Sequence, residues 1–362
     1  VKMAMKFHPL RVEKIVRETG DAITIYFHNP DRSVYNYIPG QYLTLKVLID
    51  GKPYNRAFSL CSCPVDDDQL AVTVKVTPGG KVSTHLYKNL KEGDTIDVMP
   101  PLGNFVAQIN PSNRNHYVLI GAGSGITPLM SILRTALAKE PHSKVTLLYG
   151  NRSEGTIIFR EALTRLRAGN PDRLTVIHTL SQPSEFWEGL KGRISDQLVL
   201  EVHETVKNTR LQPEYYVCGP SAMMDTTLRA LKDLGLSKEH VHEEHFTAPL
   251  THPMDEGESV AVSNEEQKIG TYDVKIFLDD QEHTLRVYAG QSVLDAALDA
   301  DLDPPYACMI GSCCTCKGKL LSGNVTMDDR EGLTDSEIRD GYILTCQSHP
   351  VTPDVVISYD QV

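Results

Sequence analysis

The chain has 362 residues, of which 41% are hydrophobic and 23% charged, and carries a formal net charge of −11. That length suits two or three domains, and the composition is that of an ordinary globular protein. No apolar run approaches the roughly 20 residues of a membrane span, and no basic, aromatic-interleaved patch of a nucleic-acid binder is present, so neither a membrane nor a nucleic acid is expected as a partner. The first residues, Val1-Lys-Met-Ala-Met-Lys-Phe7, contain no apolar signal-peptide core. Eight cysteines, four of them in one motif, do not read as a disulfide framework, and a reducing cytoplasm is the expected compartment. The charge is uneven: residues 271–362 balance to −10, residues 248–270 to −4 and the remainder to +3. An acidic tail on a near-neutral body suits docking to a basic partner surface, and equally the ordinary solvation of a small domain.

Residues 1 to about 111 read as all-β. Alternating runs recur at Ala22-Ile-Thr-Ile-Tyr-Phe, Tyr42-Leu-Thr-Leu-Lys-Val and Leu70-Ala-Val-Thr-Val-Lys-Val, separated by turn residues at Asn29-Pro, Pro39-Gly, Asp50-Gly and Pro78-Gly-Gly. This is the pattern of an antiparallel barrel. From about Asn115 strands alternate with helices, which means a parallel sheet with crossover helices. Tyr117-Val-Leu-Ile runs into Gly121-Ala-Gly-Ser-Gly and a helix, for which Thr127 and Pro128 suit N-cap and N1. Further strands are expected at Val145-Thr-Leu-Leu-Tyr, Leu174-Thr-Val-Ile-His and Glu214-Tyr-Tyr-Val-Cys, with helices near Phe159 to Arg167 and from Ser221 to a stop at Gly235. Residues 248–270 lack periodicity and read as a linker. After them come a hairpin around Asp279-Asp280, a short helix after Ser292 and a capping box at Thr334-Asp-Ser-Glu337 before a second short helix.

The chemistry-bearing motifs follow this order. Arg56-Ala57-Phe58-Ser59 offers a phosphate-binding fork, an aromatic face and a hydroxyl, although alone it is an ordinary strand end. Gly121 to Pro128 lies between strand and helix, where glycines allow close approach and the helix N-terminus attracts a pyrophosphate. It lacks the final glycine of the dehydrogenase fingerprint. Arg152 suits a 2′-phosphate or plain solvation. Cys218-Gly219-Pro220 ends a parallel strand where ligands bind in open α/β sheets, and a buried small cysteine is the alternative. Glu244 and Phe246 lie at the end of the α/β segment, where a carboxylate and an aromatic can sit over a flavin, or where the chain simply leaves for the linker. Cys308, Cys313 and Cys316 stand as C-x4-C-x2-C with a distant Cys346, the plant-type spacing for a 2Fe–2S cluster. Gly311 and Ser312 let the backbone wrap it. A four-cysteine structural zinc site is the alternative, but such sites usually carry two C-x2-C pairs.

Taken together, these motifs resemble the ferredoxin–NADP reductase superfamily fused to a C-terminal plant-type ferredoxin, over nearly the whole chain. The order resembles multicomponent oxygenase reductases. Tyr149-Gly-Asn-Arg-Ser153, Cys218-Gly-Pro-Ser-Ala-Met-Met224, Glu244-x-Phe246-Thr-Ala and Gly341-Tyr-Ile-Leu-Thr-Cys346-Gln are similar to the reductase subunits of phenylacetyl-CoA epoxidases. The resemblance implies an antiparallel β-barrel FAD domain (1–112), an α/β parallel-sheet NAD(P) domain (113–247), a linker (248–270) and a β-grasp 2Fe–2S ferredoxin domain (271–362). It implies FAD held by Arg56, Ala57, Phe58, Ser59, Lys75, Val76, Gly80, Val82 and Ser83, with Phe246 nearby. NADPH, or NADH, would lie along Gly123, Thr127, Pro128, Arg152, Cys218, Gly219 and Pro220. Ser59, Cys218 and Glu244 take the catalytic roles, and Cys308, Cys313, Cys316 and Cys346 bind the cluster. Electrons would pass from NAD(P)H through FAD and 2Fe–2S to an oxygenase component, the di-iron phenylacetyl-CoA epoxidase being the expected acceptor. Alternatives are a ketosteroid hydroxylase or Rieske-type oxygenase, an FMN reductase of the phthalate dioxygenase type, and a zinc-bound interaction module on a decayed reductase. Two departures stand out: Phe58 replaces the family's Tyr, and Cys314 adds a thiol beside the cluster that is not expected to be a ligand.

Overall fold

The computed structural model describes residues 6–246 and 271–362, apart from 30, 32, 78, 208, 289, 310, 312 and 331. The expected linker, 248–270, lies outside the described residues. The chain divides into a compact unit, Phe7–Phe246, and a second unit that holds the residues from 271 onward. No helix among the described residues is long and apolar enough to cross a membrane.

The first unit begins with β1 (His8–Thr19), β2 (Ala22–Phe27), β3 (Tyr42–Ile49), β4 (Lys52–Ser59), β5 (Leu70–Lys75), α1 (Lys81–Asn89) and β6 (Thr95–Val98). The strands form one antiparallel sheet in the order β4-β3-β6-β1-β2-β5. A bridge between Leu60 and Val72 brings the chain after β4 back onto β5 and closes the barrel. The β-branched and aromatic residues of Ala22–Phe27 and Leu70–Lys75 suit a pleated surface, and Ile25, Phe27, Leu43, Leu45, Val72 and Val98 fill the interior with no exposure. The all-β expectation for this segment is corrected by α1. Only Val82 and Leu86, four residues apart, with Ser83, are buried on that helix, too short an apolar stripe to stand out from the surrounding strands.

The α/β half consists of β7 (Asn115–Ala122), α2 (Ile126–Lys139), β8 (Lys144–Asn151), α3 (Arg160–Gly169), β9 (Leu174–Leu180), β10 (Leu190–Lys191), α4 (Asp196–Lys207), β11 (Gln212–Gly219), α5 (Ser221–Asp233) and β12 (Val241–His245). Its parallel sheet has the order β10-β9-β8-β7-β11-β12. Strands are added to one side of β7 and then to the other, so the order reverses between β7 and β11, the switch point where open α/β sheets bind ligands. The residues beyond Val241, which could have been a plain junction, instead form β12, paired in parallel with β11. The expected stop of α5 holds: Gly235 has φ +73, its N–H bonds the Lys232 carbonyl and that of Leu236 bonds Leu231, a Schellman close.

The start of α2 differs from expectation. Gly123–Gly125 form a single 3₁₀ turn that runs straight into the helix, with Gly125 at the N-cap. Thr127 and Pro128 therefore lie inside the first turn, and the Thr127 hydroxyl donates back to the Ser124 carbonyl at 2.9 Å.

The second unit comprises β13 (Tyr272–Leu278), β14 (Gln281–Val287), α6 (Val293–Asp299), β15 (Lys317–Ser322), β16 (Val325–Met327), α7 (Asp335–Arg339), β17 (Tyr342–Leu344), β18 (Ser348–Pro350) and β19 (Val356–Ser358). Asp279 and Asp280 turn the expected hairpin with φ 54° and 60°, the pair of positive angles that a type I′ turn needs. The main sheet, β14-β13-β19-β15-β17, takes α6 on one face through Val293, Ala296 and Ala297, which is the β-grasp arrangement. Thr334 and Glu337 form the expected capping box of α7.

Glu140 locks the barrel connector to the α/β half. It has no exposure and accepts from the Asn110 amide at 2.9 Å, Asn113 Nδ2 at 2.7 Å, the Tyr117 hydroxyl at 2.9 Å and Ser143 Oγ at 2.6 Å. Removing such an acceptor strands several buried donors. Glu140→Ala is expected to cost about 3 kcal/mol in denaturant unfolding; a loss below roughly 1 kcal/mol would mean that water takes the carboxylate's place.

Candidate active site and thiol cluster

The ends of β7 and β11 approach with almost no space between them. Gly121 pairs with Cys218 in register. A Cβ on Gly125 would lie 2.1 Å from the Cys218 carbonyl oxygen, and one on Gly219 would lie 3.1 Å from the Ala122 amide nitrogen. Tyr149, buried under the loop, donates to the Gly123 carbonyl at 2.9 Å and holds that residue, which has φ +56. Leu129 packs where a Gly121 side chain would be. The result is a bare backbone cradle at a helix N-terminus, a shape that fits a dinucleotide pyrophosphate.

Register then carries the barrel and the sheet together. Glu244 is the β12 partner of Cys218. Ser59, buried at the end of β4, donates its hydroxyl to Glu244 Oε2 at 3.3 Å across 185 residues of sequence. Ser59, Cys218 and Glu244 are thus brought to one place. Burial pushes the Glu244 carboxyl up to about 8, against the lowering effects of the Ser59 hydrogen bond and His245. Burial, reinforced by Glu244, holds the Cys218 thiol well above its ordinary range, so it sits there as a neutral, compact group.

The other expected flavin residues lie on the adjoining barrel face. Arg56, Ala57 and Phe58 continue back along β4, partly exposed, and Phe58 packs on the barrel core. The Asn55 side-chain oxygen beside Arg56 is buried and makes no hydrogen bond. Lys75 ends β5, 3.7 Å from Asp21 Oδ2, and its Nζ is 3.7 Å from the position of a Gly123 Cβ. The Val76 amide bonds the Asp21 carbonyl. Gly80 caps α1 without a side-chain hydrogen bond, with Val82 and Ser83 buried in the first turn. The uncapped N-terminus of α1 and the Arg56 guanidinium are both donors of the kind a second pyrophosphate, that of FAD, accepts from. Phe246 packs on the α/β core. Pro220 and Arg152 are exposed. Arg152 stands on the loop after β8, where its carbonyl accepts from the Gln182 amide at 2.7 Å, apart from the meeting of Ser59, Cys218 and Glu244. Sequence reasoning missed Asp21 as the partner of Lys75, whereas the close approach expected of the loop glycines is found at Gly121 and Gly125.

In the second unit the four expected cysteines converge. Cys313, Cys316 and Cys346 are buried and Cys308 is half-exposed. The Cys313 amide points at Cys308 Sγ at 3.4 Å. Crowding by Cys308, and then by burial, holds the Cys313 thiol far above its usual range, and Cys308 and Cys316 do the same to Cys346. Four sulfurs this close are stable together as thiolates only around positive metal, so the donor set fits an iron–sulfur cluster. Gly311, at φ +80, bends the loop, and a Cβ on Gly332 would strike the Cys313 carbonyl at 2.5 Å. Ser312 lies outside the described residues. Cys314 is buried beside the set.

Because the folded Glu244 carboxyl titrates above its unfolded value, the stability it contributes is complete below pH ~4.5 and falls away as pH rises to about 8. Glu244→Gln is expected to flatten this part of the stability–pH curve, measured by urea unfolding between pH 5 and about pH 9. Identical curves would place the Glu244 titration in the ordinary carboxylate range.

Comparison with known proteins agrees with this geometry. An oxidoreductase FAD-binding domain model matches residues 9–106, an oxidoreductase NAD-binding domain model 119–229 and a 2Fe-2S iron-sulfur cluster binding domain model 276–351. The chain is 39% identical to a subunit of the 1,2-phenylacetyl-CoA epoxidase of Escherichia coli, covering 98% of each chain. It is 38% identical to the ferredoxin reductase component of 3-ketosteroid-9-alpha-monooxygenase of Rhodococcus rhodochrous, covering 97% of this chain and 96% of that one. The solved structure of phthalate dioxygenase reductase shares the fold, with a TM-score of 0.59, 22% identity and coverage of 97% and 98%. The barrel, the switch-point cradle and the thiol cluster, in that order, make the chain a member of the FAD- and 2Fe–2S-containing reductase components of multicomponent oxygenases.

Proposed function

We propose that this reductase takes electrons from NADPH and delivers them to a di-iron oxygenase of the phenylacetyl-CoA epoxidase kind. The observation that carries the site reading is the meeting of Ser59, Glu244 and Cys218 at the end of the switch-point cradle. When bound, the flavin converts a two-electron hydride donor into single electrons that a 2Fe–2S cluster accepts. The chain's own residues prepare that exchange. Arg56 and the N-terminus of α1 hold the flavin pyrophosphate, with Lys75, Val76, Gly80, Val82 and Ser83 along its flank. Gly123, Thr127 and Pro128 carry the nicotinamide nucleotide's pyrophosphate, and Arg152 is the exposed cation for a 2′-phosphate, which favours NADPH over NADH. Cys218, with Gly219 and Pro220, presents a flat neutral surface to the nicotinamide. Ser59 directs its hydroxyl toward the reacting edge of the flavin, and Glu244 orients that hydroxyl. Cys308, Cys313, Cys316 and Cys346 bind the cluster, and the segments 1–112, 113–247 and 271–362 are the functional domains.

Identity of 39% over 98% of the chain supports the epoxidase assignment. The 38% match to a ketosteroid monooxygenase reductase supports a second acceptor. Reconstitution with each oxygenase separates them: the true partner turns over substrate with NADPH and this protein, and the other does not. In an anaerobic visible spectrum, NADPH is expected to bleach flavin and cluster absorption together. Flavin bleaching with no cluster absorption ends the ferredoxin half of the assignment. Ser59→Ala is expected to slow flavin reduction in stopped flow by roughly tenfold, the worth of one hydrogen bond of about 1.4 kcal/mol, with a smaller effect on NADPH affinity. An unchanged rate removes Ser59 from the reaction.

A further inference from the structure

Helix α2 leaves the dinucleotide loop and is buried on almost every side, so its polar side chains need partners inside the protein. Thr127, Ser131, Arg134 and Thr135 fall at i, i+4, i+7 and i+8 and share one stripe of the helix. Three of them meet the same piece of barrel, the segment that follows Ser59. Ser131, fully buried, donates to the Ser62 carbonyl at 2.7 Å. Arg134 grips Asp67 with both nitrogens, Nη1 to Oδ2 at 2.6 Å and Nη2 to Oδ1 at 2.8 Å. Thr135 Oγ1 lies 3.6 Å from the Cys63 sulfur. The barrel holds that segment from its other side. The Tyr37 hydroxyl donates to Ser62 Oγ at 2.7 Å and the Ala71 amide donates to the same atom at 3.1 Å, and within the segment Asp67 Oδ2 accepts from the Cys63 amide at 2.8 Å.

The Ser131 and Arg134 bonds, at 2.6 to 2.8 Å, are shorter than two side-chain bonds that join the halves nearer the cradle, Ser59 to Glu244 at 3.3 Å and the Tyr216 hydroxyl to the Val106 carbonyl at 3.4 Å. A set of close polar contacts between the two halves therefore lies on α2. Arg134 and Asp67 are each about a quarter exposed, and a two-point guanidinium–carboxylate fork fixes angle as well as distance, which a lysine cannot do.

We propose that this staple makes Ser131, Arg134 and Asp67 positioning residues for hydride transfer. It ties the strand end that presents Ser59 to the helix whose first turn carries the dinucleotide loop, and so sets how closely the two bound rings approach. The proposal rests on the assignment of these two surfaces to flavin and nicotinamide. Hydride transfer needs reacting atoms about 3–3.5 Å apart, and a slip of about 1 Å costs on the order of 100-fold in rate.

The test uses the full, flavin- and cluster-loaded chain with Arg134→Lys, which keeps the charge but loses the fork, and Asp67→Asn. Both variants are expected to retain wild-type flavin and cluster absorption and to bind NADPH within about twofold of wild type. Their limiting flavin-reduction rate in anaerobic stopped flow is expected to fall about tenfold or more, with a larger isotope effect from NADPH deuterated at the transferred position. Combining the two substitutions is expected to cost no more than either alone. Amide hydrogen exchange, which does not depend on turnover, is expected to quicken at residues 60–67 in both. A flavin-replete variant reduced at the wild-type rate overturns the proposal alone, as does a loss expressed wholly in NADPH affinity. A wild-type protein that binds NADPH but no flavin overturns the flavin assignment, and the proposal with it.

Discussion

The rest of the site depends on a contact that involves no side chain. At the switch point the 3₁₀ turn after β7 sits so close to the end of β11 that a single Cβ on Gly125 would overlap the Cys218 carbonyl. Because the backbones touch, the N-terminus of α2 points into the cradle, and the next parallel strand, β12, falls at the distance where Glu244 reaches Ser59. A widening of the cradle would separate both pairs at once. Glycine is required here because of the contact, and its conformational freedom matters chiefly at Gly123, where φ is positive.

Around that contact, buried polar groups are handled in two ways. Glu140 is saturated by four donors and serves as structure, joining the connector between barrel and sheet to β7 and α2. Glu244, half-buried, accepts from the Ser59 hydroxyl at 3.3 Å among the described residues, and loss of solvent pushes its carboxyl up. A carboxyl whose titration is strongly shifted by desolvation marks a functional position more than a structural one. The four cysteines of the second unit follow the same logic: their crowding is unfavourable for thiolates and becomes favourable around positive metal.

The closest polar contacts between α2 and the barrel lie away from the chemistry. A buried Ser131 bond and a two-point, partly exposed Arg134–Asp67 fork join α2 to the barrel segment after Ser59 at 2.6 to 2.8 Å, while the Ser59–Glu244 and Tyr216–Val106 bonds nearer the cradle are longer. This leaves the ligand surfaces room to admit their occupants and keeps their separation under the control of a helix that starts at one surface and is anchored behind the other.

Much of this was legible in the chain because the signals are local. The cysteine spacing, the strand–glycine–helix succession, the Asp279-Asp280 hairpin, the Thr334 capping box and the Gly235 stop each lie within a few residues, and each rests on backbone or ligand geometry that a short segment determines alone. Three features were not legible. Helix α1 has only one i, i+4 apolar pair. The start of α2 moved forward because the glycine loop itself took up a helical turn. Strand β12 exists because β11 offers an edge for Val241–His245 to pair with, and nothing in those residues alone distinguishes a strand from a junction. The residue types at the site were therefore decided by the sequence. Which of them meet was decided by tertiary structure: Ser59 reaches Glu244 across 185 residues, and Arg134 reaches Asp67 across 67, because sheet register and barrel closure, which act over the whole fold, set those distances.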